Sequence, residues 1–448
     1  MAVKTKTPTK KTFFDDLELA RKEIDRCMKC GNCMAVCPVY TSDKSEMNVA
    51  RGKIAVCEAV LDGELDLDDP LVYKMIFNCL VCKSCMDNCP AEVNFDKIML
   101  SMRAALVRKK GLFWVKKIIF GMIKNQKLFN TGMKVGSSFS GLAFRDYDSD
   151  NQRLVSPRAP FAFVGRNMGL DSNRVMPGLA GKPFRDRVPD VVKVANPTTK
   201  VAFFSGCSTN YFYPEVGMDI IEILKENNVE VHIPKDQNCC GLAVFAHGDV
   251  ETARKLARKN IDAFERTGVD YVLVSCGSCG GCLEHDYREL LSGDPVYGPK
   301  AEYWGARVLE LSELLVDVIK YRKPTGRIDA VVTYHDSCHL KKTMGVFTQP
   351  REIIKSIPGI TFREMSKPDA CCGSGGSYVL THPKTGAEIG KRKIADVNST
   401  GADTIATGCP GCAMQLLDFS HRYGNDQKVV HYASLLAESY RREKTPQQ

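Results

Sequence analysis

The stretch CMKCGNCMAVCP, residues 27–38, recurs as CLVCKSCMDNCP at residues 79–90. Both follow the spacing C-x2-C-x2-C-x3-C-P, which is the bacterial iron-sulfur run, and in two-cluster ferredoxins its fourth cysteine binds the other cluster. The short spacings let three thiolates of one loop converge on one cubane, while the proline directs the chain towards the second. Zinc is the alternative, since it also binds four cysteines, but this duplicated spacing fits cubane geometry better than a zinc ribbon.

The two runs therefore predict two cubane [4Fe-4S] clusters, each held by three cysteines of one run and the fourth of the other. The first cluster takes Cys27, Cys30, Cys33 and Cys89. The second takes Cys79, Cys82, Cys85 and Cys37. The gap between the runs is longer than in a minimal ferredoxin and predicts an inserted helix over 48–62, with Cys57 as a buried structural thiol.

A second, larger cysteine pattern is repeated in the rest of the chain, with an offset of 131 to 133 residues. Its first copy consists of Cys207, Cys239, Cys240, Cys276 and Cys279. Its second copy consists of Cys338, Cys371, Cys372, Cys409 and Cys412. Adjacent cysteines cannot both bind an ordinary tetrahedral metal from one strand without strain, so the Cys-Cys-Gly pairs favour an irregular cluster or redox-active thiols. The glycines after each pair would let backbone N–H groups approach cluster sulfides.

Each large repeat alternates strand, helix, strand, helix, strand. The predicted strands are 201–206, 229–233, 271–275, 330–335, 360–364 and 404–407. The predicted helices are 214–227, 250–267, 308–320 and 384–399. Alternation of this kind predicts mostly parallel sheets, and it places the cysteines just beyond the carboxyl ends of strands, where open α/β sheets bind ligands.

Composition sets the class of protein. The chain has 448 residues with 44% hydrophobic and 26% charged side chains, and its mean hydropathy is −0.20, which excludes disorder and a polytopic membrane protein. The basic-to-acidic N-terminus lacks the apolar core of a secretion signal, so we expect a cytoplasmic protein. Because the cytoplasm is reducing, we expect the 20 cysteines of the chain to be metal ligands or reactive thiols and not disulfides.

Basic residues are concentrated in one segment. Residues 101–145 contain ten Lys or Arg and no acid, against a net charge of +9 for the whole chain. No nucleic-acid-binding signature accompanies them, so no nucleic-acid partner is expected. Residues 112–129 are amphipathic and predict a helix, which could pack on its own domain, dock on a partner subunit or lie on an anionic membrane surface. Six prolines make 146–198 an irregular connector.

These motifs, with FSGC at 204–207, YHDSCHL at 334–340 and TGCPGC at 407–412, resemble the CCG-domain iron-sulfur proteins. That family includes the cluster subunits of heterodisulfide reductase and the iron-sulfur subunits of glycolate oxidase, lactate-utilisation and anaerobic glycerol-3-phosphate dehydrogenase systems. The resemblance implies that each five-cysteine copy holds a non-cubane [4Fe-4S] cluster, and that the two clusters face each other. One or two such clusters would then add to the two cubanes.

The resemblance implies an α+β multidomain chain, in which a helical ferredoxin domain precedes two duplicated α/β CCG domains. The expected divisions are 1–110 for the ferredoxin-type domain, 111–198 for the connector, 199–300 for the first CCG domain and 301–448 for the second. Cys282 is expected to be a spectator near the first CCG cluster. No catalytic residue is assigned: His335 and His339 could donate protons to a substrate or could be structural.

Two functions follow from the resemblance. The first is the iron-sulfur electron-transfer subunit of a hetero-oligomeric lactate or glycolate oxidoreductase, which accepts electrons from a flavin-containing dehydrogenase subunit and passes them to quinone or another carrier. A quinone-reactive membrane subunit is a further expected partner. The absence of GxGxxG and P-loop motifs agrees with the flavin belonging to a partner. The second is a heterodisulfide or thiol-disulfide reductase, because cleaving a disulfide needs two facing clusters and conduction alone does not.

Overall fold

The computed structural model describes residues 11–147, 154–165 and 169–444. Residues 1–10, which carry part of the expectation about a secretion signal, lie outside these ranges. The described chain consists of a helical N-terminal segment, a linking segment with a small antiparallel sheet, and two α/β units. This confirms the predicted order of a ferredoxin-like segment followed by two repeats.

The N-terminal segment is built from seven α-helices that pack around one small core. They are α1 (Arg21–Asp25), α2 (Cys33–Val36), α3 (Pro38–Asp43), α4 (Ala50–Leu61), α5 (Pro70–Phe77), α6 (Ser84–Asp87) and α7 (Phe95–Lys110). Helix α4 is the predicted insertion, and its Ile54 packs with Ile76 and Met102 in this core. Cys57 is fully buried in the same core, as expected of a structural thiol.

The linking segment differs from the prediction in two respects. The amphipathic stretch 112–129 is not one helix but contains α8 (Trp114–Lys124) and the start of α9 (Gln126–Ala143). The break lies at Asn125, whose backbone is extended and whose side chain accepts a hydrogen bond from the Leu128 N–H at 3.3 Å, as an N-cap does. The expected irregular connector also contains β1 (Phe144–Tyr147), β2 (Leu154–Pro157), α10 (Ala159–Gly165) and β3 (Met176–Pro177).

The first α/β unit has a five-stranded sheet in the order β4-β6-β5-β7-β8. Its strands are β4 (Val191–Val192), β5 (Thr199–Phe204), β6 (Val229–His232), β7 (Tyr271–Val274) and β8 (Val308–Glu310). Its helices are α11 (Ser208–Tyr211), α12 (Pro214–Glu226), α13 (Leu242–Phe245), α14 (Val250–Glu265), α15 (Gly277–Gly281), α16 (Tyr287–Leu291) and α17 (Tyr297–Gly305). Only the edge strand β4 runs antiparallel to its neighbour among the described strands of this sheet.

The predicted helix 308–320 is wrong at its beginning. Residues 308–310 form β8, because Val308 and Glu310 pair with Val272 and Val274 of the neighbouring strand β7. Only α18 (Leu311–Glu313) and a π-helical turn over Leu314–Val318 follow. The first sheet therefore extends past residue 300.

The second α/β unit repeats this plan with four parallel strands in the order β10-β9-β11-β12. They are β9 (Ala330–His335), β10 (Ile360–Phe362), β11 (Thr404–Thr407) and β12 (Lys428–His431). Its helices are α19 (Cys338–Lys342), α20 (Thr348–Ser356), α21 (Tyr378–Thr381), α22 (Pro383–Thr400), α23 (Pro410–Tyr423) and α24 (Tyr432–Lys444).

Strand order places the cysteines at equivalent points of the two sheets. The chain leaves β5 to one side and returns to β7 on the other, so the topological switch point lies between these strands, and β9 and β11 repeat the arrangement. Cys207 and Cys276 follow β5 and β7, while Cys338 and Cys409 follow β9 and β11. A switch point leaves a crevice at the carboxyl ends of parallel strands, which is where such sheets bind ligands.

Candidate metal centres

The cysteines of the N-terminal segment gather in two groups that cross between the two runs. We call Cys27, Cys30, Cys33 and Cys89 the outer thiol set, because these four line one cavity and Cys30 is exposed. We call Cys37, Cys79, Cys82 and Cys85 the inner thiol set, which lines a second cavity. Each set thus joins three cysteines of one run to the fourth of the other, as the spacing predicts. Phe95 and Cys85 border both cavities, so the two sets are neighbours.

The loops between these cysteines have the backbone geometry that convergence requires. Lys29, Val81 and Lys83 adopt left-handed conformations with φ of 54°, 52° and 61°, which is uncommon for residues other than glycine. These turns let the short loops bend sharply between successive cysteines. The Val81 N–H donates to Cys79 Sγ at 3.4 Å, the kind of N–H to sulfur bond that tunes a metal-bound thiolate.

Two cations are buried beside the inner set and have no carboxylate at ion-pair distance among the described residues. Lys53 and Arg103 are 1% and 4% exposed, and both interact electrostatically with Cys79. Burial lowers the pKa of each. A buried charge normally needs a partner of opposite sign. Thiolates bound to a cluster with net negative charge provide one, so the inner set fits an iron-sulfur cluster.

The ten cysteines of the large repeats form one continuous series in which each thiol adjoins the next, and all but the two at its ends, Cys207 and Cys338, are buried. The order is Cys207, Cys239, Cys240, Cys279, Cys276, Cys409, Cys412, Cys372, Cys371 and Cys338. We call the first five the first CCG set and the last five the second CCG set. They meet where Cys276 Sγ and Cys409 Sγ are 3.8 Å apart. The facing arrangement that the resemblance implies is therefore present in the thiols themselves.

Glycines allow this close meeting. A Cβ added to Gly277 would lie 2.7 Å from the Leu340 Cβ, so only glycine lets α15 of the first unit approach α19 of the second. Gly373 adopts a φ of +83°, and its N–H donates to Cys371 Sγ at 3.4 Å. The contact is to a cysteine sulfur, and the predicted approach of such N–H groups to cluster sulfides stays a prediction.

The inner thiol set adjoins the second CCG set. Cys82 interacts electrostatically with Cys338 and Cys371, and it packs with Cys371 in a small apolar cluster. Two buried bonds hold the contact: Lys342 Nζ donates to Ser84 Oγ at 2.6 Å, and the Tyr378 hydroxyl donates to Asn78 Oδ1 at 2.7 Å. The four sets therefore follow the order outer, inner, second CCG, first CCG. The spacing of the cysteines did not predict which repeat would come first.

Burial favours the protonated form of two thiols of the inner set. Desolvation is the main cause that raises the pKa of the Cys37 thiol to about 11, and it raises the pKa of Cys85 well above the usual thiol range. Metal binding requires thiolates and releases their protons. A metal that binds the inner set must therefore displace the protons of these two thiols.

The remaining sulfurs and histidines have distinct places. Cys282 is buried, and its Sγ lies 3.4 Å from the carbonyl oxygen of Cys240. It is therefore a neighbour of the first CCG set. His339 interacts with the Cys338 thiol, whereas His335 is 1% exposed and lies deeper, beside the second CCG set. Burial lowers the pKa of His335 to about 3. A neutral, enclosed imidazole does not exchange protons with solvent, which argues against a proton-donor role.

Sequence reasoning missed the buried cations. Arg103 donates to the carbonyl oxygens of Ile76 and Cys79 and, at 2.6 Å, to that of Ala246 in the first α/β unit. In the second unit, Lys393 Nζ donates to the carbonyls of Lys367 and Pro368. The sequence gives only a weak signal that Arg103 is buried. It is one basic residue among ten in its segment, and only its position between the apolar residues of α7 distinguishes it from the others.

Family models match the chain at both cysteine systems. A 4Fe-4S dicluster domain matches residues 23–93, and the CCG model, described as a cysteine-rich domain, matches residues 201–284 and 332–417. In the described part of the chain, no helix combines the length and apolar character needed to cross a membrane.

Similar proteins extend the match over nearly the full length. The chain is 32% identical over 428 residues to the probable glycolate oxidase iron-sulfur subunit of Bacillus subtilis (strain 168), covering 93% of this chain and 94% of that one. It is 28% identical to a fumarate reductase (CoM/CoB) subunit of Methanothermobacter marburgensis, over 94% of this chain and 73% of that protein. Lactate utilization protein A of Halalkalibacterium halodurans is 32% identical and matches 53% of this chain and 96% of its own length.

A crystal structure of a hypothetical protein from Helicobacter pylori has a similar fold. It aligns with a TM-score of 0.50 and 10% sequence identity, covering 88% of this chain and 68% of that chain. At this identity the likeness extends to the fold alone.

Proposed function

The chain belongs to the family of iron-sulfur proteins that join a 4Fe-4S dicluster domain to two CCG cysteine-rich domains, and we propose that it is the electron-transfer subunit of a lactate or glycolate oxidoreductase. The names of two similar proteins, the glycolate oxidase subunit and the lactate utilization protein, support this substrate class. When bound, [4Fe-4S] clusters supply one-electron carriers. A flavoprotein partner would oxidise the 2-hydroxy acid and deliver electrons to this chain.

We assign one cubane [4Fe-4S] cluster to the outer thiol set and one to the inner set. The first and second CCG sets would each hold one further [4Fe-4S] cluster of non-cubane type. These assignments divide the chain into a ferredoxin-type domain over 1–110, a connector over 111–198, and two CCG domains that follow.

The observation that carries the proposal is the unbroken order of the four thiol sets. The series begins at the exposed Cys30, passes the neighbouring inner set, and reaches the second CCG set where Cys82 adjoins Cys371. A chain that conducts electrons needs such a series of closely spaced sites, whereas a zinc scaffold does not. Met28 beside Cys30 is 64% exposed and offers an apolar contact for the electron-donating partner.

The protein around the sites holds charge and excludes water. Lys53 and Arg103 provide positive charge beside the inner thiol set, which favours the reduced, more negative state of a bound cluster. Packing of Leu80, Tyr378 and Ile389 seals the junction between the inner and second CCG sets. The low dielectric of this water-free interior makes the attraction between the two cations and a reduced cluster stronger than it would be in water.

A heterodisulfide or thiol-disulfide reductase is the second candidate. The observation that favours it is the direct meeting of the two CCG sets at Cys276 and Cys409. These residues are 9% and 2% exposed, so a disulfide substrate could reach them only if the two α/β units separated. Conduction requires no such movement, and we therefore place electron transfer first.

We propose that helices α8 and α9 face the membrane side of a hetero-oligomeric complex at the cytoplasmic face, where a quinone-reactive membrane subunit would accept electrons. Their surface exposes Phe113, Trp114 and Leu142, at 63%, 65% and 78%, beside the lysines of the basic segment. Aromatic and aliphatic side chains flanked by lysines are typical of surfaces that lie against anionic lipid.

The test is electron transfer through the reconstituted complex. The cluster-loaded chain is combined with its flavoprotein partner, lactate or glycolate is added, and reduction of a soluble quinone analogue is followed. Cys82→Ser should stop transfer, because it removes a ligand at the junction of the inner and second CCG sets. Cys57→Ala is the matched control, a buried cysteine of the same segment outside every set. Transfer at the normal rate in Cys82→Ser, or without the chain, would refute the proposal.

A further inference from the structure

The two repeats carry different residues at the end of the strand that precedes the first cysteine of each CCG set. Phe204 ends β5 three residues before Cys207, and His335 ends β9 three residues before Cys338, so the two side chains occupy equivalent places in the repeats. All five cysteines of one set have counterparts in the other. The second CCG set therefore has an imidazole at the place where the first has a phenyl ring.

His335 is held in a defined orientation. Its Nδ1 is 3.2 Å from the carbonyl oxygen of Pro368, and since a carbonyl only accepts, Nδ1 carries the proton. In the neutral ring the other nitrogen, Nε2, then has a free lone pair. It makes no hydrogen bond to any residue that the structure describes. Fixing one ring nitrogen so that the other can bind metal is the usual arrangement of a ligating histidine.

The His335 ring lies among thiols. A ring nitrogen of His335 and the Sγ atoms of Cys372 and Cys412 all lie within 4.8 Å of one another, and all three residues are buried. Ligand atoms of one tetrahedral metal with bonds of about 2.0 to 2.3 Å lie about 3.3 to 3.8 Å apart. The three atoms would thus have to move closer to one another by up to about 1.5 Å to bind one metal ion.

We propose that His335 Nε2 is an iron ligand in the second CCG set, which gives that set mixed cysteine and histidine ligation while the first set binds through cysteines only. The proposal rests on the electron-transfer function above, since it requires iron in the CCG sets. Thiolates that bind iron carry no proton, so they cannot donate a hydrogen bond to Nε2. The Nε2 lone pair would then face negatively charged sulfurs and be repelled by them. Coordination removes this conflict.

The consequence is a difference in reduction potential between two otherwise matched sets. Neutral imidazole stabilises the oxidised iron less than anionic thiolate does, and histidine ligation raises the potential of iron-sulfur centres where it occurs. The second CCG set, which receives electrons from the inner set, would then be easier to reduce than the first. Electrons would collect at the set that contains His335.

The test is pulsed electron paramagnetic resonance of the full chain, purified anaerobically with its clusters and poised by redox titration. Protein labelled with 15N-histidine is compared with unlabelled protein. A strongly coupled nitrogen whose frequency changes with the histidine isotope is expected, and the other ligands, being sulfurs, give none. His335→Phe, which copies Phe204, should lose it. His339→Gln and His431→Gln, at the other histidines beside the CCG cysteines, should keep it.

A second measurement does not depend on the stability of the phenylalanine variant. His335→Cys replaces a neutral ligand with an anionic one and should lower the midpoint potential of one cluster only. No histidine coupling in the labelled wild-type chain, or coupling that survives in His335→Phe, would overturn the inference. Iron and acid-labile sulfide measured on the same samples separate the two proposals: clusters without histidine coupling refute only this inference, whereas absence of iron refutes the proposed function.

Discussion

Arg103 is expected to fasten the N-terminal segment to the first α/β unit, and Arg103→Met tests this. The guanidinium makes four hydrogen bonds to three carbonyl oxygens: those of Ile76 (3.3 and 3.0 Å), Cys79 (2.8 Å) and Ala246 (2.6 Å). Methionine fills most of the volume but leaves these acceptors unpaired. A hydrogen bond to a charged group contributes about 1.5–3 kcal/mol, so the loss of the bonds to Ala246 and Cys79 alone predicts a destabilisation of about 3–6 kcal/mol.

Such a loss is a large part of the roughly 5–15 kcal/mol that stabilises a typical domain. The assay is anaerobic urea unfolding of the cluster-loaded chain, followed by circular dichroism, with the midpoint compared between variants. Lys109→Met is the matched control on the same helix, because Lys109 pairs with Asp68 at the surface and exposed ion pairs contribute about 0–1 kcal/mol. If Arg103→Met shifted the midpoint no more than Lys109→Met does, the inferred role of Arg103 would be wrong.

Three further predictions concern the clusters. The anaerobically purified chain should contain about sixteen iron atoms, four in each of four [4Fe-4S] clusters, by metal analysis, and zinc with negligible iron would contradict every assignment. It should contain no tightly bound flavin and should not oxidise lactate, glycolate or NADH unaided, as absorbance of the denatured supernatant and direct assays would show. Cys371→Ala removes a thiolate that no neighbour can replace, since Cys372 has its own bond to make. It should keep both cubanes reducible by dithionite in electron paramagnetic resonance but abolish turnover of the complex, and unchanged turnover would place the second CCG set off the electron path.

Local pattern was enough to predict six of the strands, β5, β6, β7, β9, β10 and β11, and the positions of the cysteines relative to them, but not the remaining described strands. Strands β5, β7, β9 and β11 lie where apolar runs predict them, because a buried parallel strand is a short apolar run bounded by turn residues. Residues 308–310 were mistaken for the start of a helix because three residues are too few to distinguish helical from extended periodicity. Their pairing with β7 is decided by tertiary structure.

The order of the thiol sets could not be predicted for a related reason. It depends on contacts such as that between Lys342 and Ser84, which are 258 residues apart, and no local pattern marks them. The burial of Lys53 and Arg103 was equally hidden, because sequence shows that a residue is basic but not that it faces thiols. The break between α8 and α9 had a local cause, the capping side chain of Asn125, and could have been predicted from it.

The N-terminal segment contacts the two α/β units differently, and this difference explains why two similar repeats need not have the same role. The segment binds the first unit through Arg103 and the Ala246 carbonyl, and the second through Tyr378 and Asn78. Only the second contact brings cysteines of the two systems together, because Cys82 adjoins Cys371 there. A duplication makes two equivalent sites, and docking of a third element on one of them ends the equivalence. Electrons that enter at the outer set then meet the second CCG set before the first, whatever the final acceptor.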